Sequence, residues 1–243
     1  MRPGHWVLLI ATAPVFGQVP AAARASAPVE TDFTGYWVSI VTEDWRWRMV
    51  TPPKGDYASI PLTLEGKQVA DTWDPSKDEA AGEQCKSYGA PGILRIPGRL
   101  HIGWQDDNTL KVEFDAGKQT RFLHFGGWHP SAGAAADWQG STVASWELER
   151  ARDGQPPKHG SIHTVTTRMR PGYLRKNGVP FSVQAELTEY WDVNKEPNGT
   201  QTLVITSVVH DPQYLQHDWM TALHFKKEAD GSKWDPQPCS SRW

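Results

Sequence analysis

Glu189 is the side chain whose type and position most strongly suggest chemistry. In residues 182–191, SVQAELTEYW, alternation places Glu189 on the same strand face as Leu187 and Trp191, because successive side chains of a strand point to opposite faces. A carboxylate on an apolar face is a candidate general acid or base. An ion pair with an inward-facing arginine such as Arg168 explains the pattern equally well and would make Glu189 a structural anchor.

The histidines supply candidate catalytic partners for Glu189. His124, in TRFLHF, shares a face with Phe122 and lies opposite Arg121, and His129 follows it in HFGGWH. Imidazole exchanges protons readily near neutral pH. The spacing of these histidines, like that of the pair in HGSIH, matches no specific metal motif, so we predict no metal site.

A second acid, Glu147, lies in the strand-like segment VASWELE. Two carboxylates at a suitable separation perform glycoside hydrolysis, so Glu147 and Glu189 are a candidate pair whose separation depends on the fold. The sequence contains no GxSxG nucleophile elbow and no glycine-rich phosphate or dinucleotide motif, and we therefore predict no cofactor.

Tryptophan is unusually frequent, with 13 residues in 243. Large aromatic side chains fill cores, but they also line cavities for small apolar or aromatic molecules. We predict that a small-molecule ligand or substrate contacts Trp104, Trp146 and Trp191, with Tyr190 and His224 beside them. Core packing is the competing explanation for most of these aromatic residues.

The first 25 residues have the pattern of a secretory signal peptide. Arg2 precedes an apolar run, and small residues at Ala23 and Ala25 form a cleavage site. No later stretch is apolar enough to predict a transmembrane segment in the mature chain. We therefore expect a periplasmic or secreted protein in which Cys85 and Cys239 form a disulfide. The net charge of −3 gives no reason to expect a nucleic-acid partner.

The elements that must position these side chains are predicted to be mostly β. Residues 33–49 read as a first strand, residues 99–125 as a three-stranded meander, and later segments as further strands, at least eight in all. Residues 126–137 and 170–180 read as loops. We predict an antiparallel, closed or nearly closed, calycin-like β-barrel formed by a single domain over residues 26–243, with one or two short helices near residues 61–85 that are divided near Asp74-Pro75.

Two resemblances support this prediction. Gly35-Tyr36-Trp37 resembles the GxW motif of lipocalins and other calycins, which implies a barrel that binds small apolar molecules. The chain also resembles a large group of exported bacterial β-rich proteins without an assigned reaction. The matching stretches are PLTLEG, CKSYGAP, the HP of GWHP, WQGSTVASWE, LTEYWD and VVHDPQYL. Where that group has a short glycine turn, this chain has the longer segment LERARDGQPPKHG.

Three functions are consistent with these patterns. The first is an exported calycin-like barrel that binds a small apolar or aromatic ligand in its cavity. The alternative on the same scaffold is a cofactor-independent isomerase, lyase or hydrolase that uses Glu189 and a histidine as acid and base. The third is a noncatalytic envelope protein that binds another protein or a glycan through exposed Trp45, Trp47 and Trp219.

Overall fold

A computed structural model describes residues 31–42, 44–150, 154 and 157–242. The predicted signal peptide lies outside the described residues. Within them, nine strands form a closed barrel. The barrel strands are β1 (Gly35–Ile40), β2 (Arg99–Asp106), β3 (Thr109–Phe114), β5 (Thr120–His124), β6 (Ser141–Leu148), β7 (Gly160–Thr167), β10 (Glu186–Lys195), β11 (Gln201–His210) and β12 (Trp219–Lys227). Their order around the barrel is β1-β12-β11-β10-β7-β6-β5-β3-β2, and the pairing of β2 with β1 closes it.

The barrel is mixed, so the prediction of a wholly antiparallel sheet is wrong at one position. Strands β5 and β6 run parallel, with Leu123 opposite Thr142. An odd number of strands cannot close a barrel by alternation alone, and parallel neighbours need a crossover connection. Residues 125–140 provide that crossover, and the carbonyl of Trp138 accepts a hydrogen bond from the amide of Ala90 at 2.9 Å.

The predicted first strand is shorter than expected. Strand β1 ends at Ile40, and the next residues form the short helix α1 (Trp45–Arg48). Asp44 has a φ of 51°, a left-handed conformation that aspartate tolerates better than most residues. The chain therefore turns away from the sheet and crosses one end of the barrel.

Residues 170–180, predicted as a loop, contain a hairpin of β8 (Gly172–Arg175) and β9 (Val179–Phe181). Asn177-Gly178 lies in its turn, and Gly178 has a φ of 83°. Asn-Gly is a strong hairpin signal, which the two neighbouring prolines obscure. The long segment between β6 and β7 does not disturb their pairing, which runs from Ser141–Thr167 to Leu148–Gly160.

The helices predicted near residues 61–85 are confirmed. Helix α2 (Leu64–Asp71) begins where Thr63 Oγ1 accepts a hydrogen bond from the amide of Gly66, and α3 (Pro75–Ala80) begins where Asp74 accepts from Ser76. Proline at the first helical position fits this start. The remaining elements are a 3₁₀ helix (Gln84–Tyr88), α4 (Ala90–Ile93), β4 (Ala116–Gly117) and β13 (Gln237–Pro238). None of the described helices is long and apolar enough to cross a bilayer.

The helices and the β8–β9 hairpin cover one end of the barrel, which we call the capped end; the opposite rim is the open end. The predicted disulfide is confirmed: Cys85 and Cys239 are bonded, with 5.2 Å between their Cα atoms. It ties the C-terminal segment to the 3₁₀ helix of the cap. Because it links residues 154 positions apart, the loop-entropy model gives it an upper value of about 5 kcal/mol.

The barrel interior is filled with side chains. Large apolar residues in it have no exposed surface, namely Trp37, Leu123, Ile162, Trp191 and Ile205. A second apolar cluster, which includes Leu174, Phe181 and Trp219, joins the capped end to the barrel. Close packing of this kind leaves ligands to bind at the two ends or on the outer wall.

Candidate functional site

Glu189 lies inside the barrel in a fully buried ion pair with Arg121. The Arg121 guanidinium donates to both carboxylate oxygens, at 3.1 and 2.8 Å, and to Thr166 Oγ1 at 3.1 Å. Thr164 Oγ1 donates to the same carboxylate at 3.2 Å. The partner is therefore Arg121 and not Arg168, whose side chain donates to the carbonyl of Ser131. This geometry corresponds to the anchor interpretation of Glu189.

The structure does not bring the candidate histidines to Glu189. His124 faces outward from β5, where its ring stacks on Trp128 with 4.0 Å between centroids, and burial lowers its pKa below the ordinary value. His129 is exposed in the following crossover, and His224 lies between two inward-facing residues of β12 and so faces outward. The alternation that placed His124 opposite Arg121 is correct, and for this reason no acid/base pair with Glu189 forms.

The three candidate tryptophans lie in different surroundings. Trp191 has no exposed surface. Trp104 and Trp146 are half-buried near the open end, where both rings pack against Phe125 at centroid distances of 5.5 and 5.4 Å. Tyr190 points outward and stacks on His163. Only the pair near the open end is therefore placed to meet a ligand without rearrangement of the interior.

The three tryptophans proposed for surface recognition also differ in their exposure. Trp45 is 64% exposed, whereas Trp219 is 6% exposed and packs beneath the cap. Trp47 is half-buried between two arginine side chains. These three residues therefore do not form one exposed aromatic surface.

A groove of about 790 Å³ lies at the open end, within the size range of small-molecule sites. Strands β6, β7 and β10 build it, because Glu147 lies opposite Ser161 in the sheet and Ser161 Oγ donates a hydrogen bond to Asp192. The described lining residues are Thr31, Asp32, Glu147, Leu148, Glu149, His159, Gly160, Ser161, Asp192, Val193, Asn194, Lys195 and Gln201.

The charges in this lining are mainly negative. Among the described lining residues there are four carboxylates, one lysine and one histidine. Leu148, which is 49% exposed, and Val193 add apolar surface. The groove therefore combines apolar contact area with hydrogen-bond acceptors, and the imidazole of His159 is the one aromatic ring in the described lining.

Sequence reasoning found Glu147 but missed Asp192 and Ser161. Its proposed partner for Glu147 was Glu189, which points into the interior. Asp192 is adjacent to Trp191 on the polar face of the same strand, so alternation could have found it. The cross-strand register that places it near Glu147 is a long-range property.

No group of three or more histidine, cysteine, aspartate or glutamate side chains is arranged to hold a metal ion in the part of the chain that the structure describes. Comparison with known protein families, with curated proteins and with solved structures finds no match for this chain. The geometry and chemistry of the chain itself must therefore support any functional assignment.

Proposed function

We propose that this protein is a binding protein whose small-molecule ligand lies in the groove at the open end. The observation that carries the proposal is the contrast between that groove and the filled interior. A calycin-like protein binds its ligand within the barrel, whereas here Trp37 and Trp191 occupy that space. A barrel that binds a small molecule is still proposed, but the ligand lies in the groove at the open end and not in the barrel interior.

The groove favours a ligand with an apolar part and a cationic group. Leu148 and Val193 offer apolar contact, and Trp104 and Trp146 lie just below the rim. The four carboxylates of the described lining favour a protonated amine, because charge-assisted hydrogen bonds are roughly twice as strong as neutral ones. We therefore infer an aromatic or alkyl amine as the ligand class, which narrows the apolar or aromatic ligand predicted from the sequence.

The proposed location is the periplasm or the cell exterior. The bonded cysteines support it, because disulfides persist in oxidising compartments. The alternative of catalysis by Glu189 has less support, because that carboxylate is enclosed and already paired with Arg121.

Three probes of similar size and different charge test the proposal. Phenethylamine, phenylethanol and phenylpropionate are titrated separately into the disulfide-bonded protein while heat and tryptophan fluorescence are recorded. We expect the amine to bind most tightly, the alcohol less tightly and the acid least. Equal binding of all three, or binding of none, would overturn the proposal.

Variants locate the site. Glu147→Gln and Asp192→Asn each remove one negative charge from the groove, and each should weaken amine binding about fivefold, which corresponds to about 1 kcal/mol. Asp218→Asn is the matched control, because Asp218 is exposed at the capped end beside His210. Amine binding that is unchanged in both groove variants would place the ligand elsewhere.

A further inference from the structure

A narrow crevice at the capped end is lined by basic side chains. It lies beneath α1, with a volume of about 10 Å³, which is enough for one water-sized group. The residues that line it are Trp47, Ser87, Gly92, Arg95, Ile96, Leu174, Arg175 and Lys176. These come from four separate stretches of the chain.

Arg95 is the central cation of this crevice. It is 5% exposed, and its guanidinium packs over the ring of Trp219. Nη2 forms an ion pair with Asp44 Oδ2 at 3.0 Å, whereas Nη1 has no hydrogen-bond partner among the described residues. Buried guanidinium groups normally satisfy their donors, so Arg95 has donor capacity to spare where it lines the crevice.

Arg175 lies close enough to Arg95 for the two charges to repel. It is 3% exposed, and burial together with that repulsion lowers its pKa to about 10. Its terminal nitrogens donate to the carbonyl of Ala58 and to Ser59 Oγ, while Nε has no hydrogen-bond partner among the described residues. Burial also lowers the pKa of the adjacent Lys176 to about 8.

Among the described residues, no carboxylate forms an ion pair with Arg175. Asp44 contacts Arg95, whereas Asp56 contacts the exposed Arg46 at 2.9 Å. A buried charge without a partner of opposite sign costs several kcal/mol; this applies to Arg175, and repulsion from the neighbouring Arg95 adds to the cost. An anion between them would satisfy the spare donors and offset the repulsion.

We propose that the crevice binds a small anionic group between Arg95 and Arg175. Its size fits a single oxygen of a phosphate or carboxylate that enters from outside, and a chloride ion, which is somewhat larger than water, is the monatomic alternative. The ring of Trp47, which packs 5.0 Å from the Arg175 guanidinium, covers the bound group. This site is at the opposite end of the barrel from the amine groove and is independent of it.

Anion-dependent stability tests the proposal on the full disulfide-bonded protein. Thermal midpoints are measured against increasing sodium chloride, sodium phosphate and sodium acetate for the wild type, Arg95→Gln, Arg175→Gln and Arg46→Gln. We expect a saturating rise of several degrees in the wild type and in Arg46→Gln, and loss of the saturating component in the two crevice variants. Arg46 is the control because it lies in α1 beside Trp47 and its side chain is 64% exposed.

Each outcome is informative. Saturation with chloride alone identifies a monatomic anion, and saturation with phosphate or acetate identifies an oxyanion or carboxylate group; both support the site. A non-saturating rise of equal size in all four proteins, or no rise in the wild type, would overturn it. If Arg95→Gln does not fold, Arg175→Gln and the chloride-35 line width of the wild type, with phosphate as competitor, make the same test.

Discussion

Two buried arginines of this protein differ in the partners of their guanidinium groups. Arg121 is 1% exposed and Arg95 is 5% exposed. Arg121 makes two hydrogen bonds to Glu189 and one to a threonine, whereas Arg95 pairs only with the partly exposed Asp44, and its Nη1 makes no hydrogen bond with the described residues. The Arg121 guanidinium is therefore paired with a fully buried carboxylate, whereas the Arg95 guanidinium is paired with a partly exposed one, and this difference separates the anchor from the proposed anion site.

The largest effect is expected from breaking the buried ion pair between Arg121 and Glu189. Glu189→Gln leaves the Arg121 charge buried without a counter-charge, and it should lower the free energy of unfolding by about 3–5 kcal/mol. Urea denaturation followed by tryptophan fluorescence measures this. The double variant Arg121→Met/Glu189→Leu should lose much less, because no uncompensated charge remains. A stable Glu189→Gln protein would show that the pair is not an anchor.

A smaller effect, an increase in the free energy of unfolding, is expected when the pH is raised, because of Lys176 at the capped end. The pKa of Lys176 is about 8 in the folded protein, whereas an unperturbed lysine has a pKa of about 10.4. Between these values the unfolded chain binds more protons, so stability increases with pH. We expect the free energy of unfolding to rise by about 1–2 kcal/mol between pH 7.5 and 9.5 in low salt.

Lys176→Gln should remove this rise, and a saturating anion should reduce it by stabilising the protonated lysine. A free energy of unfolding that falls over the same pH range in the wild type would contradict the assignment. Urea midpoints at constant ionic strength, measured over this pH range for the wild type with and without the anion and for Lys176→Gln, test these expectations.

The smallest effects are expected from substitutions of the two tryptophans of α1. Trp47→Ala uncovers the crevice and should lower the free energy of unfolding by about 1 kcal/mol while admitting larger anions such as phosphate. Trp45→Ala is the matched control, because Trp45 is 64% exposed and its loss should change stability by less than about 0.5 kcal/mol. Identical anion selectivity in both variants would show that Trp47 does not cover the site.

Local patterns predicted much of this structure. Alternation placed Glu189 inside the barrel and His124 opposite Arg121, and the start signals at Asp74-Pro75 located the division between two helices. A closed or nearly closed barrel of at least eight strands also followed from the succession of short segments, and the closed barrel has nine. These features depend on residues that are close in sequence.

The features that local patterns missed depend on distant residues. Glu189 and Arg121 are 68 positions apart, and only the barrel register makes them partners in place of Arg168. Arg95 and Arg175 lie in the short segments ILRIP and YLRKN, where a charged residue next to apolar ones gives no sign of its partner. The tryptophan count was consistent with either cavity lining or core packing, and in the structure Trp37 and Trp191 are packed in the barrel interior.

The most direct test of the central claim is a pair of matched substitutions, Arg121→Met and Arg95→Met, each measured by urea unfolding in low-salt buffer. Methionine keeps apolar contact and removes the charge. We predict that Arg121→Met loses about 3–5 kcal/mol because Glu189 remains buried and unpaired. Arg95→Met should lose far less or become more stable, because Asp44 is partly exposed and can be hydrated. Equal, large losses in both variants would contradict the distinction between the anchor and the ligand site.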